Sequence, residues 1–370
     1  MPSESKPAQL FNRTRVEALL DQGIKDRAYP GAVVMWGTPA APETAVRGLR
    51  GLSRNRCPAT ENLIYDLASL TKVLATTSLA MIAVARGRLD IKSPLADNNL
   101  LPELKGSRWK KITPEHLLAH QSGLPAWRAF HRLPSGDYSR RRDLTLSAIS
   151  AVEIQVPPGR RTIYSDLNFI LLGFLLEKIF SHRIDDLFEN EITRPLKLSG
   201  LAYHPSSGPL APTEDGFRWG GPIGERAGGF RGPVPLGRPH DDNAAYLGSA
   251  AGHAGLFGRA GAVWSLAAQW PLASEGRGAL FSKEVLENFL EVRPTDVDAG
   301  RPLGFNLPSR LESLKSSPLS PDSFGHTGYT GPAIWWDRRR NFIWLFLTNR
   351  VHPRAGNPHW RPGLYQGGPL

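Results

Sequence analysis

The sequence predicts an α/β protein whose sheet is assembled from the two ends of the chain around a mostly helical insertion. Three observations carry this. Runs of strand composition lie near both termini, as Gly31-Ala32-Val33-Val34-Met35-Trp36-Gly37 and as Thr330 to Trp336 with Phe342 to Leu347. The stretch between them is patterned mainly for helices. At 370 residues and 41% hydrophobic content, the chain suits one large core or two joined subdomains better than a string of modules.

Taken in order, Leu10 to Gln22 has helical spacing, with Val16, Leu19 and Leu20 on one side. Thr44 to Leu52 is the expected hairpin partner of the Gly31–Gly37 strand. Val73 to Arg86 opens the helical part. Thr113 to His120 follows, with Thr113 as N-cap and Pro114 at the first helical position. Asp166 to Phe180 is the next helix. From His204 to Gly248 the chain is rich in Gly and Pro with little apolar periodicity. It reads as a long ordered loop over a site, because structureless loops of that length are unusual unless functional. Asp337-Arg338-Arg339-Arg340-Asn341 turns the final hairpin. The expected organisation is a single domain over 12–351, with its α/β part at 12–75 and 245–351, its helical insertion at 76–244, and a Gly/Pro-rich tail at 352–370.

Composition excludes several classes of function. The lone Cys57 rules out a disulfide framework within the chain and gives no sign of a zinc site. No apolar h-region occurs in Met1 to Gln22, and the longest apolar run, Phe169 to Leu176, is far too short to span a bilayer. The expected compartment is the cytoplasm, or the periplasm had a leader been removed. The formal charge of +11 is dispersed, with short clusters such as Arg140-Arg141-Arg142 and Arg338-Arg339-Arg340 far apart. No nucleic-acid module accompanies it, so the expectation is a solvated basic face with a bias toward acidic substrates, and no nucleic-acid or membrane partner.

The chemistry centres on Ser69-Leu70-Thr71-Lys72, which follows Tyr65-Asp66-Leu67-Ala68 and runs into the apolar stretch from Val73 to Ala85. A serine and a lysine three apart on a helix face the same way. A desolvated amine loses its proton more easily, and a deprotonated neighbour is what a weak serine nucleophile needs. Ser3 to Lys6 and Ser107 to Lys110 share the spacing, but one lies in a polar leader and the other in a basic loop. Only Ser69 sits between a strand-like segment and a long apolar helix.

Two further boxes join it. Tyr164-Ser165-Asp166 lies at a loop–helix junction after Pro158-Gly159. A phenol beside a lysine ammonium is favoured as phenolate, a usable base. His326-Thr327-Gly328 opens the last hairpin, where small residues let the backbone approach a substrate and offer N–H groups to an oxyanion.

In this order and spacing, with His116-Leu117-Leu118-Ala119-His120-Gln121-Ser122-Gly123-Leu124-Pro125, the boxes resemble the serine β-lactamase, penicillin-binding protein and D,D-peptidase superfamily, in its class C-like branch. The resemblance covers about Val16 to Val351. It implies the β-lactamase-like fold, with an antiparallel sheet flanked by helices, and no cofactor or metal. It implies Ser69 as acylated nucleophile and Lys72 with Tyr164 as a coupled proton-transfer pair. The oxyanion hole is then the N–H groups of Ser69 and Tyr329, with Asp166, His326, Thr327 and Gly328 on the substrate side.

Three departures qualify that pattern. The second box commonly ends in asparagine; Asp166 cannot donate when ionised, and it favours a charged Lys72. The third box commonly begins with lysine, and His326 is largely neutral at pH 7. Both changes argue against an efficient β-lactamase. Relatives usually end in a long helix on the sheet, whereas Gly356 to Leu370 is rich in Gly and Pro. The N-terminal helix then covers that face alone, or the terminal helix is missing or supplied by a partner.

His240-Asp241-Asp242-Asn243, Ala251-Gly252-His253-Ala254 and Ala211-Pro212-Thr213-Glu214 resemble a sub-branch acting in cell-wall muropeptide recycling. That adds His240, Asp241 and His253 as expected substrate contacts. Three readings stay open: an amidase or peptidase on peptidoglycan fragments, a carboxylesterase on small esters, and an idle penicillin-recognising protein. The complete Ser69, Lys72, Tyr164 set counts against idleness. Oligomeric state is not legible.

Overall fold

Five antiparallel strands from both ends of the chain form the main sheet, in the order β2-β1-β8-β7-β6. The computed structural model describes residues 12–52, 56–97, 101–214, 233–311, 314, 317–353 and 355. Helix α1 (Arg13–Lys25) precedes β1 (Gly31–Thr38) and β2 (Ala41–Gly48). A two-residue strand β3 (Tyr65–Asp66) leads through the Ser69 turn into a π-helical segment, Lys72–Thr77, continued by α2 (Ser78–Ala85). Then come α3 (Pro114–Leu118), α4 (Tyr138–Ala151), α5 (Asp166–Phe180), α6 (Ile184–Phe188), β4 (Leu201–Ala202), α7 (Asp242–Tyr246) and β5 (Phe257–Gly258). Helices α8 (Ala260–Ala267), α9 (Gln269–Ser274) and α10 (Lys283–Leu290) lead to β6 (Phe324–Thr327), β7 (Ala333–Asp337) and β8 (Phe342–Thr348). Strands β3, β5 and β4 pair in a small second sheet beside the nucleophile turn.

Strands β1, β7 and β8 read as nearly continuous apolar runs because both faces of the sheet are covered. Side chains alternate between faces, as the period-2 pleat requires. Val33, Met35, Ile334, Trp336, Ile343, Leu345 and Leu347 join the main core, under the helices. Val34, Trp36, Trp335, Trp344 and Phe346 face the other way, packed with Val16 and Leu20 of α1. Leu311, Leu314 and Leu319 also close that outer face, so α1 does not cover it alone. The Gly356–Leu370 tail lies outside the described residues.

Helix α5 is buried along nearly its whole length, which explains an apolar pattern with no polar stripe. It presents its N-terminus, with Asp166, to the Ser69 turn. Helix α3 is shorter than expected. Thr113 caps it in a reciprocal pair with His116, but His120 adopts a left-handed φ of 56° and ends the helical path. The expected long loop over 204–248 is also corrected: Asp242–Tyr246 is a helical turn capped by Asp241, whose side chain accepts from the Ala244 N–H. Residues 215–232 of that loop lie outside the described residues. Among the described residues, no helix is long and apolar enough to cross a membrane.

Candidate active site

Ser69 lies in a tight turn rather than inside an α-helix. Leu70, Thr71 and Lys72 each donate a backbone N–H three residues back, to Leu67, Ala68 and Ser69. In such a 3₁₀ turn, residues i and i+3 eclipse, which brings the side chains of Ser69 and Lys72 together. Lys72 Nζ is 3.0 Å from Ser69 Oγ. The preceding Ala68 sits at φ 44°, a conformation costly for a residue with a Cβ, and its N–H donates to Asp66 Oδ1 at 2.9 Å.

Lys72 is fully buried among further polar and aromatic neighbours. Its Nζ is 2.8 Å from Asp166 Oδ1, donates to the His253 carbonyl at 2.9 Å, and lies 5.1 Å from the Tyr164 ring centre. The sequence sets two effects against each other here, burial that eases loss of the proton and Asp166 that favours the charge, and the second prevails. Burial does press the Lys72 pKa down, but Asp166 and Tyr164 together outweigh it, and the net shift is upward. Lys72 is held as an ammonium.

Tyr164 stands two residues before α5, is 39% exposed, and has three aromatic or cationic side chains besides Lys72 against its ring. The rings of His120 and His326 lie 4.5 and 5.9 Å away, centre to centre, and the Arg301 guanidinium carbon lies 5.7 Å away. His120 also grips the Tyr164 backbone from both sides. Its carbonyl accepts from the Ile163 N–H at 2.8 Å and its Nδ1 from the Ser165 N–H at 3.0 Å. Because a backbone N–H only donates, Nδ1 is the unprotonated nitrogen of that ring. Burial, Arg301 and Lys72 hold the His120 pKa well below its usual value.

His326 faces inward from β6, with its Nδ1 donating to the Thr327 carbonyl at 2.8 Å. Burial, then Arg301 and Lys72, push its pKa down to about 3. It is neutral, so it supplies no fixed cation. Thr327 is half-buried at the strand end. The Gly328 N–H donates to the Pro332 carbonyl at 2.7 Å, and the Gly331 N–H closes a turn onto Gly328. Among the described residues no partner takes the N–H of Ser69 or of Tyr329. A Cβ on Gly328 would come within 2.7 Å of the Leu67 carbonyl, so only glycine lets this turn approach the Ser69 turn. Thr330 ties the two turns together by donating to the Asp66 carbonyl at 2.7 Å.

The three residues expected to contact substrate from the later segments are otherwise engaged. His253 is 1% exposed and its Nε2 pairs with Asp241 Oδ1 at 2.9 Å; it meets the site through its backbone carbonyl. The Asp241 carboxylate is committed to His253 and to capping α7. Burial works to raise its pKa, but His253 and the cap hold it far below the usual range. His240 pairs with Glu214 at 3.2 Å and packs on the Tyr329 ring at 5.5 Å. Its N–H donates to Asp66 Oδ2 at 2.7 Å. These residues brace the site from behind, with the side chains of Asp241 and His253 engaged with each other.

Sequence reasoning missed Arg301, the grip of His120 and the bracing by Asp66. Arg301 carries no local signal; it falls in Gly300-Arg301-Pro302-Leu303-Gly304, far along the chain from every box. His120 stands in a quoted motif, but the contacts that define its part are long-range.

Comparison with known proteins bears on the family and the fold. A family model described as Beta-lactamase matches residues 16–365. A protein of Escherichia coli O157:H7 named "Putative D-alanyl-D-alanine carboxypeptidase" is 28% identical, across 100% of this chain and 90% of its own length. Its namesake in Escherichia coli strain K12 is 29% identical across 84% of this chain and 75% of its own length. Among solved structures, EstCE1, a hydrolase with promiscuous acyltransferase activity, aligns over 96% of this chain and 98% of its own, with a TM-score of 0.71 at 19% identity. A class C beta lactamase aligns over 98% of each chain, with a TM-score of 0.69 at 15% identity. An octameric penicillin-binding protein homologue from Pyrococcus abyssi covers 96% of this chain and 76% of its own, at 0.70 and 18%. At these identities the structural likenesses establish the fold alone.

Proposed function

The chain belongs to the Beta-lactamase family of serine hydrolases, and from that premise we propose that it cleaves an amide of peptidoglycan-derived fragments through an acyl-enzyme on Ser69. The observation that carries this reading is the meeting of Ser69 Oγ and the Tyr164 ring about the Lys72 ammonium, which lies 3.0 Å from the first and 5.1 Å from the centre of the second. Such a set suits acyl transfer.

In this reading Tyr164, as phenolate, takes the proton of Ser69 Oγ as that oxygen bonds to the scissile carbonyl carbon. The N–H groups of Ser69 and Tyr329 receive the developing oxyanion. The carbon–nitrogen bond then breaks, and the amine leaves with the proton held by Tyr164. A water attacks the acyl ester, giving its proton to Tyr164, which returns it to Ser69 as the carboxylic product departs. Lys72 remains charged throughout, paired with Asp166, and steadies the negative oxygen at each step.

The relatives named as carboxypeptidases support peptidoglycan as substrate class, and the basic balance of the chain suits anionic stem peptides. One observation favours the carboxylesterase reading: buried, neutral His326 leaves that strand without a cation for a substrate's terminal carboxylate. The deciding experiment incubates the protein with defined muropeptides and, separately, with nitrophenyl acetate, and follows products and intact protein mass. Release of a stem peptide or D-amino acid with a transient acyl adduct is expected. Ester turnover with no muropeptide cleaved and no adduct would replace the proposal with the esterase reading.

A further inference from the structure

Arg301 is a buried cation that is unpaired among the described residues. It is 3% exposed, and its Nε and Nη2 both donate to the Phe305 carbonyl, at 3.0 and 2.7 Å. Among the described residues no carboxylate lies within ion-pair distance of it. Its neighbour Arg310 is paired, with Asp298 at 3.2 Å. Burying an unpaired charge costs several kcal/mol, on the order of what a stable fold can spare, so such a group is retained where an anion arises during function.

The one ring beside it that can become an anion is Tyr164, 5.7 Å from the guanidinium carbon. Among the described residues, three other charged or titratable side chains stand against that ring: Lys72, His120 and His326. Lys72 lies 5.1 Å away, but its charge is compensated by Asp166 at 2.8 Å. His120, from the end of α3, and His326, from β6, are buried and neutral. Among the described residues, Arg301 is therefore the positive charge at this ring that no carboxylate pairs.

We propose that Arg301 is a positioning residue that holds Tyr164 ready as the proton acceptor, standing in for the cation that His326 does not provide. The inference rests on the reading of Tyr164 as base. It accounts for a guanidinium retained in a pocket otherwise lined by neutral rings, and it places the electrostatic support of the base on a segment remote from all three boxes.

The test follows kcat/KM for nitrophenyl acetate, and labelling by a serine-directed fluorophosphonate, as functions of pH. An opposite charge within about 4–6 Å shifts an ionisation by about 1–3 pH units. In Arg301→Met, the acid limb of both profiles is expected to move up by at least about one pH unit, a loss of about tenfold on that limb. Arg301→Lys should restore most of the shift. Arg160→Gln, which removes an exposed charge elsewhere, should leave the limb in place. A limb unmoved in folded Arg301→Met, or moved equally by Arg160→Gln, overturns the inference. Should Arg301→Met fail to fold, Arg301→Gln and Arg301→Lys are compared in the same way, and equal profiles overturn it. Tyr164→Phe separates the two claims: if the acid limb survives that change, the reading of Tyr164 as base is what fails.

Discussion

Lys72 Nζ lies closer to Asp166 Oδ1, at 2.8 Å, than to Ser69 Oγ, at 3.0 Å, and this ordering assigns the work within the site. A lysine neutralised by burial would serve as a base. One held charged by a neighbouring carboxylate steadies negative oxygen instead and leaves proton transfer to the phenol. Asp166→Asn should therefore let burial lower the proton affinity of Lys72. The basic limb of the kcat/KM profile should move to lower pH, and turnover should fall less than on loss of the phenol. Breaking the pair should also cost about 1–3 kcal/mol of stability. An unmoved basic limb would show that Lys72 does not titrate in catalysis.

Ser69→Ala should abolish hydrolysis and labelling by a fluorophosphonate, while Ser107→Ala, on a basic loop, should change neither. Labelling that persists in Ser69→Ala would assign the nucleophile elsewhere.

Tyr164→Phe keeps the ring between His120 and His326 and removes only the oxygen. A loss of about 10²–10⁴ in turnover is expected, the usual range for general acid–base catalysis, with the thermal midpoint little changed. Near-full activity would transfer the base function to Lys72.

Acid should destabilise the fold through its buried imidazoles. His326 titrates at about 3 in the folded protein against 6.5 when free, and His120 is shifted in the same direction. Below about pH 6.5 the unfolded chain binds protons that the folded chain refuses, so stability falls as pH drops toward about 3. Each ring adds a slope of up to about 1.4 kcal/mol per pH unit. Asp66, raised by burial, acts in the opposite sense, so the readout is a difference between proteins. Denaturation midpoints of wild type and His326→Asn, compared at pH 7 and pH 5, should show a smaller loss in the variant. Parallel losses would mean that His326 takes a proton in the folded state.

His253→Ala removes the partner of Asp241 while leaving the carbonyl that Lys72 uses. It should lower stability and reduce turnover of muropeptides and nitrophenyl acetate alike, because the side chain reaches neither substrate. A loss confined to muropeptides would return His253 to ligand contact.

Some of this was legible in the residues alone. The apolar runs near both termini specify strands buried on two faces, and Asp166 to Phe180 specifies a helix with no polar side, because burial leaves its pattern in composition wherever a whole element is enclosed. Ser69 and Lys72 are three apart in the chain, so their meeting is a local matter. Asp166, two residues past Tyr164, carries its charge in its identity. What the chain did not disclose depends on partners far away in sequence. At the end of α3, His120 takes long-range bonds from Ile163 and Ser165, whereas the helical turn at Asp242–Tyr246 is capped locally by Asp241.

The sequence by itself determined the fold class, the nucleophile box and the charge at Asp166, because each is written in short-range pattern or residue type. Only the tertiary structure decided that Asp166 and Tyr164 together outweigh the burial of Lys72, that His326 is buried, that Asp241 and His253 face each other, and that Arg301 lies beside Tyr164. Proton affinity and electrostatic support depend on burial and on distances of a few ångströms between segments well separated along the chain, such as those of Tyr164 and Arg301. No pattern along the chain records those distances before it folds.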